Sequence, residues 1–108
     1  MVNIPKWNIQ ELAGYQPKTT FWQDFCIADR FGTGAVQDTY DRAFNEWKIN
    51  VEYLTEMVMV LNHLCWYHYG KKNEELSKLY SKLYYQAHEW ALDNLKDDDL
   101  DYYLKWTD

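Results

Sequence analysis

A run of 35 residues without glycine or proline, residues 35–69, constrains the fold more than any other feature of this chain. Apolar side chains recur along it mostly at spacings of three and four, with a second row at spacings of seven. Such a pattern is typical of a helix whose broad apolar stripe packs against more than one neighbour. We therefore predict one continuous helix, roughly 52 Å long at ~1.5 Å per residue.

Asn50 lies in the apolar row of this predicted helix, between Trp47 and Leu54. A single polar residue at such a position can fix the register or the oligomeric state of packed helices. The alternative is a local kink or a side chain that faces the solvent. The sequence leaves both readings open.

Helices are also predicted on both sides of this segment. Thr20, with Gln23 three residues later, forms a capping-box pattern at the start of an N-terminal helix that ends at Gly32 and Gly34. A shorter helix is predicted between Asn8 and Gly14, from a similar capping pattern.

A turn follows the long helix. Gly70 suits the position just after a helix, and Asn73 suits the N-cap of a third helix that runs to about Lys96. Asp97, Asp98 and Asp99 then cap a short final helix. The sequence therefore predicts a single all-α domain over residues 1–108. Its architecture is a long antiparallel helical hairpin, with a packed N-terminal helix and a short C-terminal helix.

The charge of the chain restricts its partners. Its 17 acidic and 11 basic residues give a formal net charge of −6. An acidic surface repels phosphate backbones, so nucleic-acid binding is disfavoured and a basic protein partner is favoured. No apolar run is long enough for a membrane span. The two distant cysteines and the lack of an export signal favour a cytoplasmic location.

Residues 27–32, followed by Ala35 and Val36, resemble a helix-turn-helix corner. The resemblance implies a nucleic-acid-binding regulator, which we keep as an alternative function. Asp38 and Asp41, however, occupy positions where DNA-binding proteins place Arg, Lys, Asn or Gln.

Catalytic and metal-binding patterns are weak. His63, Cys65 and His68 lie close in sequence, and His88 is isolated, but none has the spacing of a known zinc or di-iron motif. Phosphate-binding glycine loops and nucleophile motifs are absent from the sequence. We predict no enzyme activity, no cofactor and no metal, and we keep a small-ligand or metal site among these side chains as a second alternative.

The remaining signal is an excess of aromatic residues, which make up 19% of the chain. Consecutive tyrosines at 84–85 and 102–103 cannot all face one core. We therefore predict a non-enzymatic protein-interaction module that forms a homodimer and acts on a basic or apolar surface of another protein, in one form as an inhibitor. Its general character is similar to that of small accessory proteins of phages and mobile elements. The predicted contact residues are Asp38, Asp41, Glu46, Tyr84, Tyr85, Asp97, Asp98, Asp99, Tyr102 and Tyr103.

Overall fold

The computed structural model describes Trp7 and residues 14–107, which form an all-α helical bundle without a strand in these residues. The helices are α1 (Phe21–Asp29), α2 (Thr33–Trp47), α3 (Val51–Gly70), α4 (Glu74–Asn94) and α5 (Asp97–Thr107). Antiparallel α3 and α4 form the predicted hairpin and share the most extensive helix contact. Helices α1, α2 and α5 pack around α3. The helix predicted between Asn8 and Gly14 lies outside the described residues.

The prediction of one continuous helix over residues 35–69 is wrong, because the chain breaks between α2 and α3. Asn50 is the N-cap of α3, with extended backbone at φ −136° and ψ 113°. Its side-chain oxygen accepts hydrogen bonds from the backbone N–H groups of Glu52 (2.9 Å) and Tyr53 (3.4 Å). These bonds satisfy N–H groups that a helix start leaves open. Of the two readings of Asn50, the local break is therefore the correct one.

Two details of the predicted helix ends also differ. Thr20 is the N-cap of α1, but its hydroxyl donates to Asp24 Oδ2 (3.0 Å) and makes no capping bond to the backbone. Gly70 is the last residue of α3 and not the residue after it, and Lys72 adopts the left-handed conformation at φ 59°. The N-cap predicted at Asn73 is confirmed, since its side chain accepts the N–H of Leu76 at 3.2 Å.

Helix α3 is the centre of the core. Residues 54–61 are all buried, because other helices surround this part of α3. Much of the aromatic excess is also used in the core. The ring of Trp47 lies 5.0 Å from that of Phe44 and 5.8 Å from that of Trp90, both at nearly right angles. Such edge-to-face pairs add to the stability that their buried area provides.

Candidate functional site

A groove of about 810 Å³ lies between α1 and α2 and opens to the solvent. The helix-turn-helix-like corner predicted near residues 27–36 is present as α1, a short turn at residues 30–32, and α2, and it contributes to the groove lining. The residues lining the groove are Phe21, Asp24, Ile27, Ala28, Phe31, Ala35, Asp38, Thr39, Asp41, Arg42, Ala43 and Glu46.

Small side chains create this groove. Ala28, Ala35 and Ala43 line it, and they leave space that larger residues would fill. At its edge Phe31 is 77% exposed, which is unusual for a phenylalanine in a folded chain. Ile27 is also exposed. The groove therefore offers an apolar surface to the solvent at a position that none of the described residues covers.

Four carboxylates line the same groove: those of Asp24, Asp38, Asp41 and Glu46. Within the part of the chain that the structure describes, no Lys, Arg or His forms an ion pair with any of them. Arg42 instead donates to the carbonyl of Asp38 and to the hydroxyl of Thr39, each at 3.4 Å. The groove therefore combines apolar surface with four carboxylates and one arginine, Arg42, and this net negative charge attracts cationic groups.

A buried glutamate holds the start of α1 in place. Glu56 of α3 is 0% exposed, and its carboxylate accepts the backbone N–H groups of Lys18 (2.7 Å) and Thr19 (2.8 Å). The hydroxyl groups of Tyr15 and Thr19 donate to the same carboxylate. Burial, followed by the hydrogen bond to Glu56, raises the pKa of Tyr15 well above its ordinary value. These bonds join the segment before α1 to the central helix.

A second buried cluster holds the other end of α1. Asp29 Oδ2 lies 2.8 Å from His68 Nε2 of α3, and the Tyr80 hydroxyl of α4 donates to Asp29 Oδ1. The rings of His68 and Tyr80 are stacked, with centroids 5.5 Å apart. Because both ends of α1 are bonded to the hairpin, this wall of the groove is held in place by the fold itself.

Sequence reasoning missed these two clusters. A signal for Glu56 was present, since it is the only charged residue in a stretch of α3, residues 54–61, that is otherwise apolar apart from one threonine. A helix that is apolar on all sides is buried, and a charge within it must be hydrogen-bonded. The contacts of Asp29 carry no comparable signal, because its partners are 39 and 51 residues away.

The structure brings together only some of the predicted contact residues. Asp38, Asp41 and Glu46 are exposed and line the groove. Asp97, Asp98 and Asp99 are exposed in the first turn of α5, outside the groove. Tyr84 and Tyr102 are half-buried, and Tyr85 is exposed on α4.

Tyr103 requires a correction. Its side chain is 0% exposed, and its hydroxyl lies 2.5 Å from His88 Nδ1. Burial raises the pKa of Tyr103 above its ordinary value. In this fold Tyr103 is a core residue that joins α5 to α4, so its side chain is out of reach of a partner.

The side chains considered for a metal site have separate neighbours. His68 contacts Asp29, His88 contacts Tyr103, and the ring of His63 lies 6.2 Å from that of Trp7 at nearly a right angle. The thiol of Cys65 lies near the carbonyl of Ser77. Among the residues that the structure describes, no three His, Cys, Asp or Glu side chains are grouped to hold a metal ion.

Cys26 is the more deeply buried of the two free cysteines. Burial, and then the charge of Asp29, raises the pKa of its thiol to about 12. The thiol is therefore protonated at neutral pH, whereas nucleophilic chemistry requires the thiolate.

No protein-family model matches this chain, and neither does any curated protein or solved structure. None of the helices in the described residues combines the length and the apolar character needed to cross a membrane.

Proposed function

We propose that this chain is a non-enzymatic protein-interaction module whose contact surface is the groove between α1 and α2. The proposal is supported by the exposed ring of Phe31, which lies beside apolar side chains and four carboxylates that form no ion pair among the described residues. Exposed apolar surface with a polar rim is typical of protein interfaces. The anchoring of α1 by Glu56 and Asp29 supports it, because a rigid wall suits recognition.

The test is a selection of peptides from a random display library on the full chain, followed by affinity measurements on two variants. Phe31→Ser removes the exposed ring in the groove. Leu92→Ser removes an exposed apolar side chain from α4, outside the groove, and is the matched control. Neither substitution empties the core.

We expect the selected peptides to bind Phe31→Ser at least about tenfold more weakly, since burying such a side chain is worth about 1.5–3 kcal/mol. Leu92→Ser should bind them as the unmodified chain does. A library that yields no binder, or binders that are indifferent to Phe31→Ser, would contradict the proposal.

We also propose that the chain associates with itself. Several large apolar side chains outside the groove are exposed, among them Ile49, Trp66 and Tyr69. Burial of such side chains against a second copy would remove them from water. Light scattering over a concentration series should show a dimer. A mass of 13.1 kDa at every concentration would contradict this proposal and would leave the groove proposal untouched.

A further inference from the structure

We infer that the occupant of the groove is a cationic amphipathic α-helix of another protein, with an apolar stripe flanked by Lys or Arg. The inference rests on the proposed function and adds the chemistry of the partner. It follows from the length of the groove, from the purely helical structure of the described residues, and from the distribution of charges along the groove.

The length of the groove fits a short helix. On α2 the lining positions run from Ala35 to Glu46. At ~1.5 Å per residue this is roughly 16 Å, or about three helical turns. A partner helix of similar length would lie along the groove and place its apolar side chains over the alanines.

A helix suits this groove better than an extended peptide does. Extended peptides usually bind by adding a strand to a sheet edge, where main-chain hydrogen bonds supply the affinity. The described residues form no strand, and the groove walls are helices whose backbone groups are largely bonded internally. A helical partner satisfies its own backbone and needs only side-chain contacts.

The charges specify which side chains flank the apolar stripe of the partner. Asp24 lies on α1, whereas Asp38, Asp41 and Glu46 lie on α2, so carboxylates are present on both walls. Lys and Arg can lay their aliphatic stems along apolar surface and keep their charged ends beside such carboxylates. Inside the groove the same charges disfavour a nucleic acid, and they disfavour the acidic surface of a second copy, whose proposed contacts lie outside the groove.

The experiment uses three synthetic peptides of about 12 residues and measures their affinity for the full chain by calorimetry. The first has leucines at helical spacing with lysines elsewhere. The second replaces each lysine by glutamate, and the third has the composition of the first in an order that is not amphipathic. Each peptide is measured at low and at high salt, because salt weakens exposed charge interactions.

Two charge-reversed variants locate the binding. The first is a double variant, Asp38→Lys with Glu46→Lys, which reverses two charges in the groove. Glu89→Lys with Asp93→Lys reverses two exposed carboxylates on α4 and changes the net charge by the same amount. We expect the first peptide to bind at least about tenfold more tightly than the other two, and the groove variant to lose about tenfold. The α4 variant should stay within about twofold of the unmodified chain.

The inference is overturned if the acidic or the non-amphipathic peptide binds equally well, or if both variants lose affinity equally. These results are distinguishable from failure of the proposed function. If library peptides lose affinity for Phe31→Ser but are not basic helices, the groove remains the proposed interface and the inference of a cationic helical partner is wrong. Binding of duplex DNA, or of a second copy of this chain, in the groove would also show that the inferred partner is wrong.

Discussion

Asp29 and His68 lie 2.8 Å apart, measured between Oδ2 and Nε2, and join the end of α1 to the central helix. The Tyr80 hydroxyl donates to the other oxygen of Asp29, so one carboxylate connects three helices. Burial, and then the charge of Asp29, raises the pKa of Tyr80 far above its ordinary value. The cluster therefore fixes the wall of the groove to the hairpin.

Asp29→Asn should lower the free energy of unfolding by about 2 kcal/mol, because it removes the carboxylate charge beside His68 and replaces one of the two oxygens that contact His68 and Tyr80 by an amide nitrogen. Asp24→Asn, on the same helix but exposed, should cost less than about 1 kcal/mol. Urea denaturation of both variants checks this. Equal losses for the two variants would show that Asp29 has no special role in stability.

Glu56→Gln should cost about 3 kcal/mol, since the amide replaces one acceptor oxygen by a donor that faces the donors of residues 15–19. Glu52, one turn earlier on α3, is the matched control. It makes a partly exposed ion pair with Lys18 at 3.6 Å, so Glu52→Gln should cost less than about 1 kcal/mol.

The measurement is again urea denaturation, followed by digestion with a protease that cleaves after Lys18. In Glu56→Gln the segment before α1 should be cleaved faster than in Glu52→Gln. Similar stability and similar cleavage rates in the two variants would contradict the anchoring role of Glu56.

Asn50→Ala should destabilise the fold by about 1 kcal/mol, because it removes the acceptor for the first N–H groups of α3. Asn50→Asp keeps a capping oxygen and should stay within about 0.5 kcal/mol of the unmodified chain. Thermal unfolding followed by circular dichroism provides the comparison. If Asn50→Ala were as stable as Asn50→Asp, the break between α2 and α3 would have another cause.

The hairpin could be predicted from sequence because α4 carries a clear apolar period and an N-cap at Asn73, and both are local features. The break before α3 was missed, because the run has no glycine or proline and its apolar spacing continues across Asn50. Asparagine favours N-cap positions, so a weak local signal did exist. The preference of one asparagine for an N-cap is a weaker signal than an apolar period that continues on both sides of it.

The site was predicted less completely than the fold. Asp38, Asp41 and Glu46 share one helix, and the sequence could place them together. The space between α1 and α2 depends on the distance between the two helices near Ala28, Ala35 and Ala43. This distance is set by tertiary packing and not by local sequence. The burial of Tyr103 likewise depends on the docking of α5, which no local pattern reports.

Acidification should destabilise the chain in part through His63, because partial desolvation of this otherwise exposed side chain lowers its pKa. Above the ordinary histidine pKa of about 6.5, both the folded and the unfolded chain are neutral at this residue. Below that pH, the unfolded chain binds the proton more readily than the folded chain does. The free energy of unfolding therefore decreases as the pH is lowered, until the pH reaches the pKa of His63 in the folded chain.

His63→Gln removes this contribution. Urea midpoints at about pH 7.5 and about pH 5.5 should differ less in His63→Gln than in the unmodified chain. An identical pH dependence in both proteins would show that His63 titrates alike in the folded and unfolded states.

The central claim is that a cationic amphipathic helix binds in the groove between α1 and α2. The most direct test is to titrate the isotope-labelled chain with the lysine–leucine peptide and to follow the backbone amide signals by NMR. We predict shifts concentrated at groove residues such as Phe31, Ala35 and Asp38, with little change on α4 around Tyr85 and Glu89. Shifts centred on α4 or on the exposed aromatics of α3, or no shifts at all, would contradict the account.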